Sequence, residues 1–437
     1  MALDWAQWTS QTVEELDSQH LLRAHRTLLV GSSSVKARIT EETFQAWISD
    51  DTSSPFTSTG QNLNSKNDGS RNNHEGFRDL TLFSTNDYLG LSSHPDVKAA
   101  AAECAKECGL GPRSSALVGG FTEKHRDLEV ALADLKGTEE CILFPTGYAA
   151  NIAVLTSLGG NGGVAIFSDE LNHASIVDGC RLATKSGAQV HIYRHNNMRH
   201  LERLLAKSPV DRKLVITDSL FSMDGDFADL KKLASLKKKY NFLLAADEAH
   251  ATLVCGVNGG GACEEERVAN DVDVHVGTLS KAAGSLGGFV CCTARMRQLL
   301  ASVGRTHIFS TALPLPVVSA ALESIKVSRR EWWRRVHLWK LAEYFGRELG
   351  IAVSSPIIPL IVGSESDTMD FARNLLHAGF HVAAIRPPTV PAGTSRLRIS
   401  LSAAHSFEDV SKLVEAIKNS NHPFISLEEL AKPTSKL

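Results

Sequence analysis

The chain has 437 residues, with 46 lysines and arginines against 49 aspartates and glutamates and a formal net charge of −3. At 43% hydrophobic and 22% charged residues, this is the composition of a globular protein of roughly two to three domains, not of a disordered chain. The near balance of charge gives no global field for nucleic acid or an anionic membrane, and no run of about 18 apolar residues is present to span a bilayer.

Taken in chain order, the first 50 residues place Leu16, Leu21, Leu22 and Leu28 among charges and predict an amphipathic helical arm, within an N-terminal region 1–79. Asp4, Glu14, Glu15 and Asp17, with no arginine before Arg23, argue against a secretory signal or transit peptide. Residues 51–75 lack any apolar cluster to offset ordering entropy and predict a mobile surface insertion. From Leu80 an α/β alternation begins. Apolar runs at Val164–Phe167, Val190–Tyr193, Leu214–Thr217, Phe242–Ala246 and Val272–Val276 start 24 to 30 residues apart, one strand plus one crossover helix each. Such units predict a mostly parallel sheet with helices on both faces, in a large domain over 80–325. Gly288–Cys292 follows too soon for a helical crossover. Beyond Pro314-Leu-Pro316, a long charged helix from Ser328 to Leu349 and apolar runs at Ile357–Val362 and Leu397–Leu401 predict a smaller α+β domain over 326–425, then a tail over 426–437. The eight cysteines form no C-x-x-C pair and several lie in apolar runs, so buried free thiols are expected, with neither a disulfide framework nor a metal site.

The run Phe242-Leu-Leu-Ala-Ala-Asp247 is followed by Glu248-Ala-His250. In open α/β sheets ligands sit beyond the carboxyl ends of the strands, and a carboxylate there can anchor a cationic heteroaromatic nitrogen. Lys281 lies 34 residues on, after another apolar strand and before Gly284, Gly287 and Gly288. A desolvated lysine forms a Schiff base with an aldehyde, and lysine imine plus ring-facing aspartate is the arrangement of pyridoxal phosphate (PLP) enzymes. The DEAH tetrapeptide also marks helicase ATPases, but the chain has no Gly-Lys dipeptide and hence no phosphate loop of that kind. Upstream, Phe144-Pro145-Thr146-Gly147-Tyr148 leads from strand into helix, and free N–H groups at such a helix start suit a phosphate. His173 follows another strand and has a flat ring able to stack on a cofactor.

Together, Asn86-Asp-Tyr-Leu-Gly, Gly111-Pro-Arg-Ser-Ser115, Asp169-x-x-x-His173-Ala-Ser, Phe221-Ser222-Met-Asp-Gly-Asp226, Asp247-Glu-Ala-His250 and Thr278-x-x-Lys281 resemble the α-oxoamine synthases over about residues 80 to 420. The resemblance implies a fold-type I PLP-dependent transferase that condenses an amino acid with an acyl-CoA and loses CO2. The stretch Arg386-Pro-Pro-Thr-Val-Pro-Ala-Gly393-Thr-Ser-Arg396-Leu-Arg398 most resembles the branch that joins L-alanine to pimeloyl-CoA in biotin synthesis. Sister branches use glycine or serine with another acyl-CoA. Carried over residue by residue, Lys281 would bind PLP covalently and act as base, and Asp247 would face the pyridine nitrogen. His250 and Ser222 would reach the ring oxygen, and His173 would stack on the ring. Thr146, Gly147, Tyr148 and Thr278 would hold the phosphate, with Ser310 or Thr311 supplied by a partner subunit of a homodimer. Arg386 would take the alanine carboxylate, with Asn86 near it and Arg23 or Arg26 as the N-terminal substrate arginine. A catalytically silent relative would have lost Lys281 or Asp247; both are present.

Where the family usually has a glycine-rich run after the DEAH, this chain has Ala251-Thr252-Leu253, side chains expected to narrow the pocket. Ser435-Lys436-Leu437 matches the peroxisomal address read by an import receptor, so a peroxisomal location is expected, otherwise the cytosol.

Overall fold

The computed structural model describes residues 4–18, 21–22, 25–49, 76–160, 162–427 and 430. Arg23, the 51–75 insertion and the 435–437 tripeptide lie outside the described residues. The chain divides into two compact units, Met1–Ser32 with Lys36–Thr81, and Ser33–Val35 with Leu82–Leu437.

In the N-terminal unit the expected continuous helix is replaced by two helices, Trp5–Ser18 and Glu41–Ser49, with strands β1 (Leu29–Val30) and β2 (Lys36–Thr40) between them. The reason is local. Ala37 and Ile39 alternate with exposed Lys36 and Arg38 at period two, which suits a half-buried strand and not a helix. β1 pairs antiparallel with β2, and β2 with β3 (Phe77–Leu82), from Lys36↔Thr81 to Thr40↔Phe77.

The second unit is built on seven strands: β4 (Glu140–Phe144), β5 (Val164–Asp169), β6 (Gln189–Tyr193), β7 (Arg212–Asp218), β8 (Leu243–Asp247), β9 (Val274–Thr278) and β10 (Gly288–Cys292). Their order across the sheet is β4-β10-β9-β8-β7-β5-β6. β5 to β9 run parallel, whereas β10 runs antiparallel to both β9 and β4, in keeping with the short link before Gly288. The carboxyl ends of β4, β5, β7, β8 and β9 therefore emerge along one edge. Both faces are covered: Leu143, Phe167, Val215, Leu244 and Phe289 enter one apolar cluster, and their neighbours Ile142, Ile166, Ile216, Ala245 and Val290 enter the other. Strands buried on two faces read as unbroken apolar runs, which is why these were legible. All eight cysteines are free and all but Cys108 are buried.

Downstream, the charged helix expected from Ser328 is two helices, Leu315–Arg330 and Trp333–Leu349. Glu331 leaves helical backbone at φ −104° and ψ 48°. Its carboxylate accepts from Arg334 Nε at 2.7 Å and lies 3.2 Å from His94 Nε2. The chain then adds β11 (Ile357–Gly363), β12 (Phe380–His381), β13 (Ala383–Ile385) and β14 (Ser395–Ser400). Of these, β11, β14 and β13 form a three-stranded antiparallel sheet in that order.

Candidate active site

Asp247 closes β8 and is 7% exposed. Its Oδ1 accepts from Ala249 N at 2.8 Å and its Oδ2 from Asn151 Nδ2 at 2.6 Å, so the carboxylate has one orientation. Asn151 comes from the helix Gly147–Gly159, and the same Nδ2 lies 2.9 Å from Ser175 Oγ. Ser175 Oγ in turn lies 2.7 Å from His173 Nδ1. A hydrogen-bond relay thus runs from Asp247 to His173, an exposed residue opening the next helix. Desolvation lowers the His173 pKa, with the Asp247 charge opposing and the Lys281 charge adding to the shift.

Lys281 follows β9 on a turn closed by Leu279 N to Gly287 O at 2.9 Å and Gly284 N to Lys281 O at 2.8 Å. Gly284 sits at φ +60°, and a Cβ there would lie 2.2 Å from Ser92 N, so the turn admits only glycine. Burial lowers the Lys281 pKa below its ordinary value of 10.5; Asp247 and Asp218 oppose the shift, and the Arg398 charge adds to it. His250 is buried, with Nδ1 2.7 Å from the Tyr88 hydroxyl. Burial, then the charges of Lys281, Arg398 and His173, hold it well below 6.5, so the ring is neutral at pH 7.

Asp218, at the end of β7 and in register with Asp247, is a third acid here. Burial and the Asp247 charge push its carboxyl well above the usual range, with Lys281 opposing, and its Oδ1 has no hydrogen-bond partner. Two carboxyls this close do not both ionise, and the orphaned one is Asp218.

At the other end of the edge, Thr146 caps the helix Gly147–Gly159 by accepting from Ala149 N at 3.0 Å. The N–H groups of Gly147 and Tyr148 lie in the first helical turn, where no intrahelical acceptor exists. Thr278 Oγ1 donates to Gly287 O at 2.9 Å, and a Cβ on Gly147 would meet the Thr278 Cβ at 3.1 Å, so the two loops form one tight cradle. The Tyr148 hydroxyl donates to Asp178.

These residues converge with a second cluster. Arg398 on β14 is 5% exposed. It donates through Nε to the Ser222 carbonyl, and through Nη1 to Asn86 Oδ1 at 3.2 Å and Ser400 Oγ at 2.8 Å. The Tyr88 hydroxyl reaches Asn86 Oδ1 at 3.2 Å, joining this cluster to His250.

A family model, aminotransferase class I and II, matches residues 78–417. The chain is 49% identical over 401 residues to the 8-amino-7-oxononanoate synthase of Arabidopsis thaliana, covering 89% of this chain and 83% of that one. It superposes on a serine palmitoyltransferase from Sphingomonas wittichii with TM-score 0.75 and 35% identity, over 78% of this chain and 87% of the other. A structure of SPT with PLP internal aldimine matches with TM-score 0.75 and 32% identity, over 78% and 87%. The chain belongs to the aminotransferase class I and II family, among its α-oxoamine synthases.

Within this α-oxoamine synthase, Lys281, Asp247, His250 and His173 come together, as do Thr146, Gly147 and Thr278, and Ser222 with Asn86. Arg386 stands half-buried after β13 with no ion pair among the described residues. Thr311 is exposed and its backbone pairs with Ser115, apart from the contacts above. Arg26 belongs to the N-terminal unit, its guanidinium 5.4 Å from the Trp47 ring centroid. Ala251, Thr252 and Leu253 are buried in the core: Thr252 Oγ1 accepts from Lys136 Nζ at 3.0 Å and donates to Glu248 O at 2.8 Å. Four residues had no role in the sequence reading: Asn151, Asp218, Tyr88 and Arg398. Three sat inside quoted motifs, Asn151 after the Thr146 turn, Tyr88 beside Asn86 and Arg398 after Arg396, and Asp218 ended a recognised strand.

Proposed function

We propose that this chain condenses L-alanine with pimeloyl-CoA, using PLP, to give 8-amino-7-oxononanoate, CoA and CO2. The observation that carries the reading is a lysine of lowered pKa facing an aspartate whose carboxylate is fixed by Asn151 and Ala249, at the carboxyl edge of adjacent strands. The identity to the Arabidopsis thaliana synthase over most of both chains supports the substrate assignment. The residues fit PLP. Asp247 suits a pyridinium, the helix start at Thr146 suits a phosphate dianion, and Lys281 suits an aldehyde carbon.

When bound, PLP supplies an electron sink that stabilises negative charge at the amino acid Cα. Asp247 keeps a negative charge against the ring nitrogen, and Asn151 stops it from turning away. Lys281, desolvated and below its ordinary pKa, is the base that takes the Cα proton and the acid that returns it. His250 stays neutral because burial and three nearby cations disfavour its charge, and Tyr88 occupies its Nδ1, which leaves Nε2 to face the ligand. Arg398 uses Nε and Nη1 on the protein, and its Nη2 is placed for a carboxylate beside Asn86. Its charge acts on both Lys281 and His250, so Arg398 is a stronger carboxylate partner than Arg386.

CoA release measured with pimeloyl-, acetyl-, succinyl- and palmitoyl-CoA against L-alanine, glycine and serine tests the reading. Highest kcat/KM for pimeloyl-CoA with L-alanine is expected; preference for another pair would move the chain to a sister activity. A homodimer belongs to the proposal, supported by exposed Leu117, Val118 and Phe309 flanking the Ser115–Thr311 bridge. Light scattering of the purified protein tests it, and a monomer would remove it. The Ser435-Lys436-Leu437 tripeptide supports a peroxisomal address; diffuse fluorescence of a reporter fused to residues 428–437 would withdraw it.

A further inference from the structure

We propose that His195 is a positioning residue for the cofactor, tying the loop that carries His173 to the loop that carries Ser222 through one carboxylate of each. The inference rests on the PLP reading above. His195 follows β6, and its Nδ1 lies 3.0 Å from Asp169 Oδ1 while its Nε2 lies 2.8 Å from Asp226 Oδ2.

Asp169 closes β5 and starts the turn that leads to His173, accepting from Leu171 N at 2.9 Å through Oδ1 and from Asn196 N at 2.9 Å through Oδ2. Asp226 closes the loop that begins at Ser222: its carbonyl accepts from Phe221 N at 2.9 Å, and its Oδ2 also accepts from Asn196 Nδ2 at 3.0 Å. The ring edge packs on Phe221, with centroids 4.5 Å apart.

A neutral imidazole has one N–H, and a carboxylate only accepts. With a carboxylate oxygen within hydrogen-bond distance of each ring nitrogen, both contacts are attractive only if the ring carries two protons. Burial pushes the imidazole down, but the hydrogen bonds and charges of Asp169 and Asp226 outweigh it and raise the pKa from 6.5 to about 10. The other charged groups facing the site are Glu170, whose Oε1 accepts from His195 N at 2.7 Å, and Asp224, which is paired with Arg396. Removing the ring charge leaves Asp169 and Asp226 facing each other with nothing between them, and the two cofactor loops part.

The test is the affinity of the apoenzyme for PLP, followed by visible absorbance, for the wild type, His195→Gln and Asp226→Asn at pH 7.5 and 10.5, with thermal melting of each apo form. His195→Gln is expected to bind PLP about tenfold more weakly at pH 7.5, as for loss of one charge-assisted hydrogen bond. That gap closes at pH 10.5, where the wild-type ring has lost its second proton. Asp226→Asn weakens binding as well, and its remaining charged clamp fails at a lower pH. Equal affinity of wild type and His195→Gln at pH 7.5, or a gap that does not change with pH, would overturn the proposal. If His195→Gln does not fold, Asp226→Asn carries the test, and wild-type affinity in that variant overturns it. A wild type that takes up no PLP removes the functional reading and this inference together, whereas normal uptake by both proteins removes the inference alone.

Discussion

Asn151 spends one amide nitrogen on two acceptors, Ser175 Oγ and Asp247 Oδ2, and so sets the direction in which the aspartate points. Asn151→Ala leaves that carboxylate oxygen without its donor, at about 1.5–3 kcal/mol for a charge-assisted bond. PLP affinity of the apoenzyme is expected to fall roughly tenfold to a hundredfold; an unchanged spectrophotometric titration would break the relay. Arg398→Lys tests the carboxylate partner. A lysine has no planar fork to hold the Ser222 carbonyl and Asn86 together with a substrate carboxylate. We expect KM for L-alanine to rise about tenfold or more, the worth of a lost bidentate contact, while KM for pimeloyl-CoA stays. Arg386→Lys is the comparison, and a larger effect there would transfer the role to Arg386.

At the scale of elements, the loop from Ser222 to Asp226 is the hub between the parallel sheet and the C-terminal sheet. Arg398 holds its start, Arg396 holds Asp224, and Ser354 Oγ donates to Gly225 O at 3.0 Å. Gly225 has φ +68°, and a Cβ there would lie 2.0 Å from Ile357 O on β11. Gly225→Ala is therefore expected to cost about 1–3 kcal/mol and to lower Tm by several degrees, read by calorimetry, with weaker PLP retention. This hub was only partly legible in the sequence. Ser222 and Asp226 stand out in a short motif, but spacing says nothing of residue 398 reaching back to residue 222. The buried parallel strands β5 to β9 were plain because both faces are apolar. β1 and β2 were not, since their short alternation is diluted by the charges of a helix-like neighbourhood. Asp218 escaped notice for a similar reason: its chemistry comes from burial beside Asp247, which only the register of two strands creates.

Across the whole molecule, the edge that bears the site is braced from beneath by a buried ion pair. Lys136 at the end of the helix Glu123–Lys136 lies 2.8 Å from Glu248 Oε2, with side chains 1% and 0% exposed. Glu248 also accepts from Cys263 N at 2.9 Å and faces His275 Nδ1 at 3.0 Å. Lys136→Met strands a charge in the core and is expected to cost about 3–5 kcal/mol in urea melts, whereas Lys136→Met with Glu248→Gln recovers part of it. Burial would push Glu248 up, but Lys136 and the His275 and Cys263 donors outweigh it and hold the carboxyl well below the usual range. A carboxyl depressed in the folded state stabilises above its unfolded pKa of about 4.5 and loses that contribution as pH falls. The deficit of Lys136→Met is thus expected to be flat from pH 8 to 5 and to narrow below pH 4.5; narrowing near neutrality would contradict the pairing. The return from β9 into β10 has a consequence of another kind. Thr278 and Gly288 are cross-strand partners, so Lys281 rides a hairpin pinned at both ends, and its amine roams no further than its own four methylenes. A base on so short a leash meets its proton at an effective molarity on the order of 10⁵ M or above, so turnover never waits for the amine to find its way back.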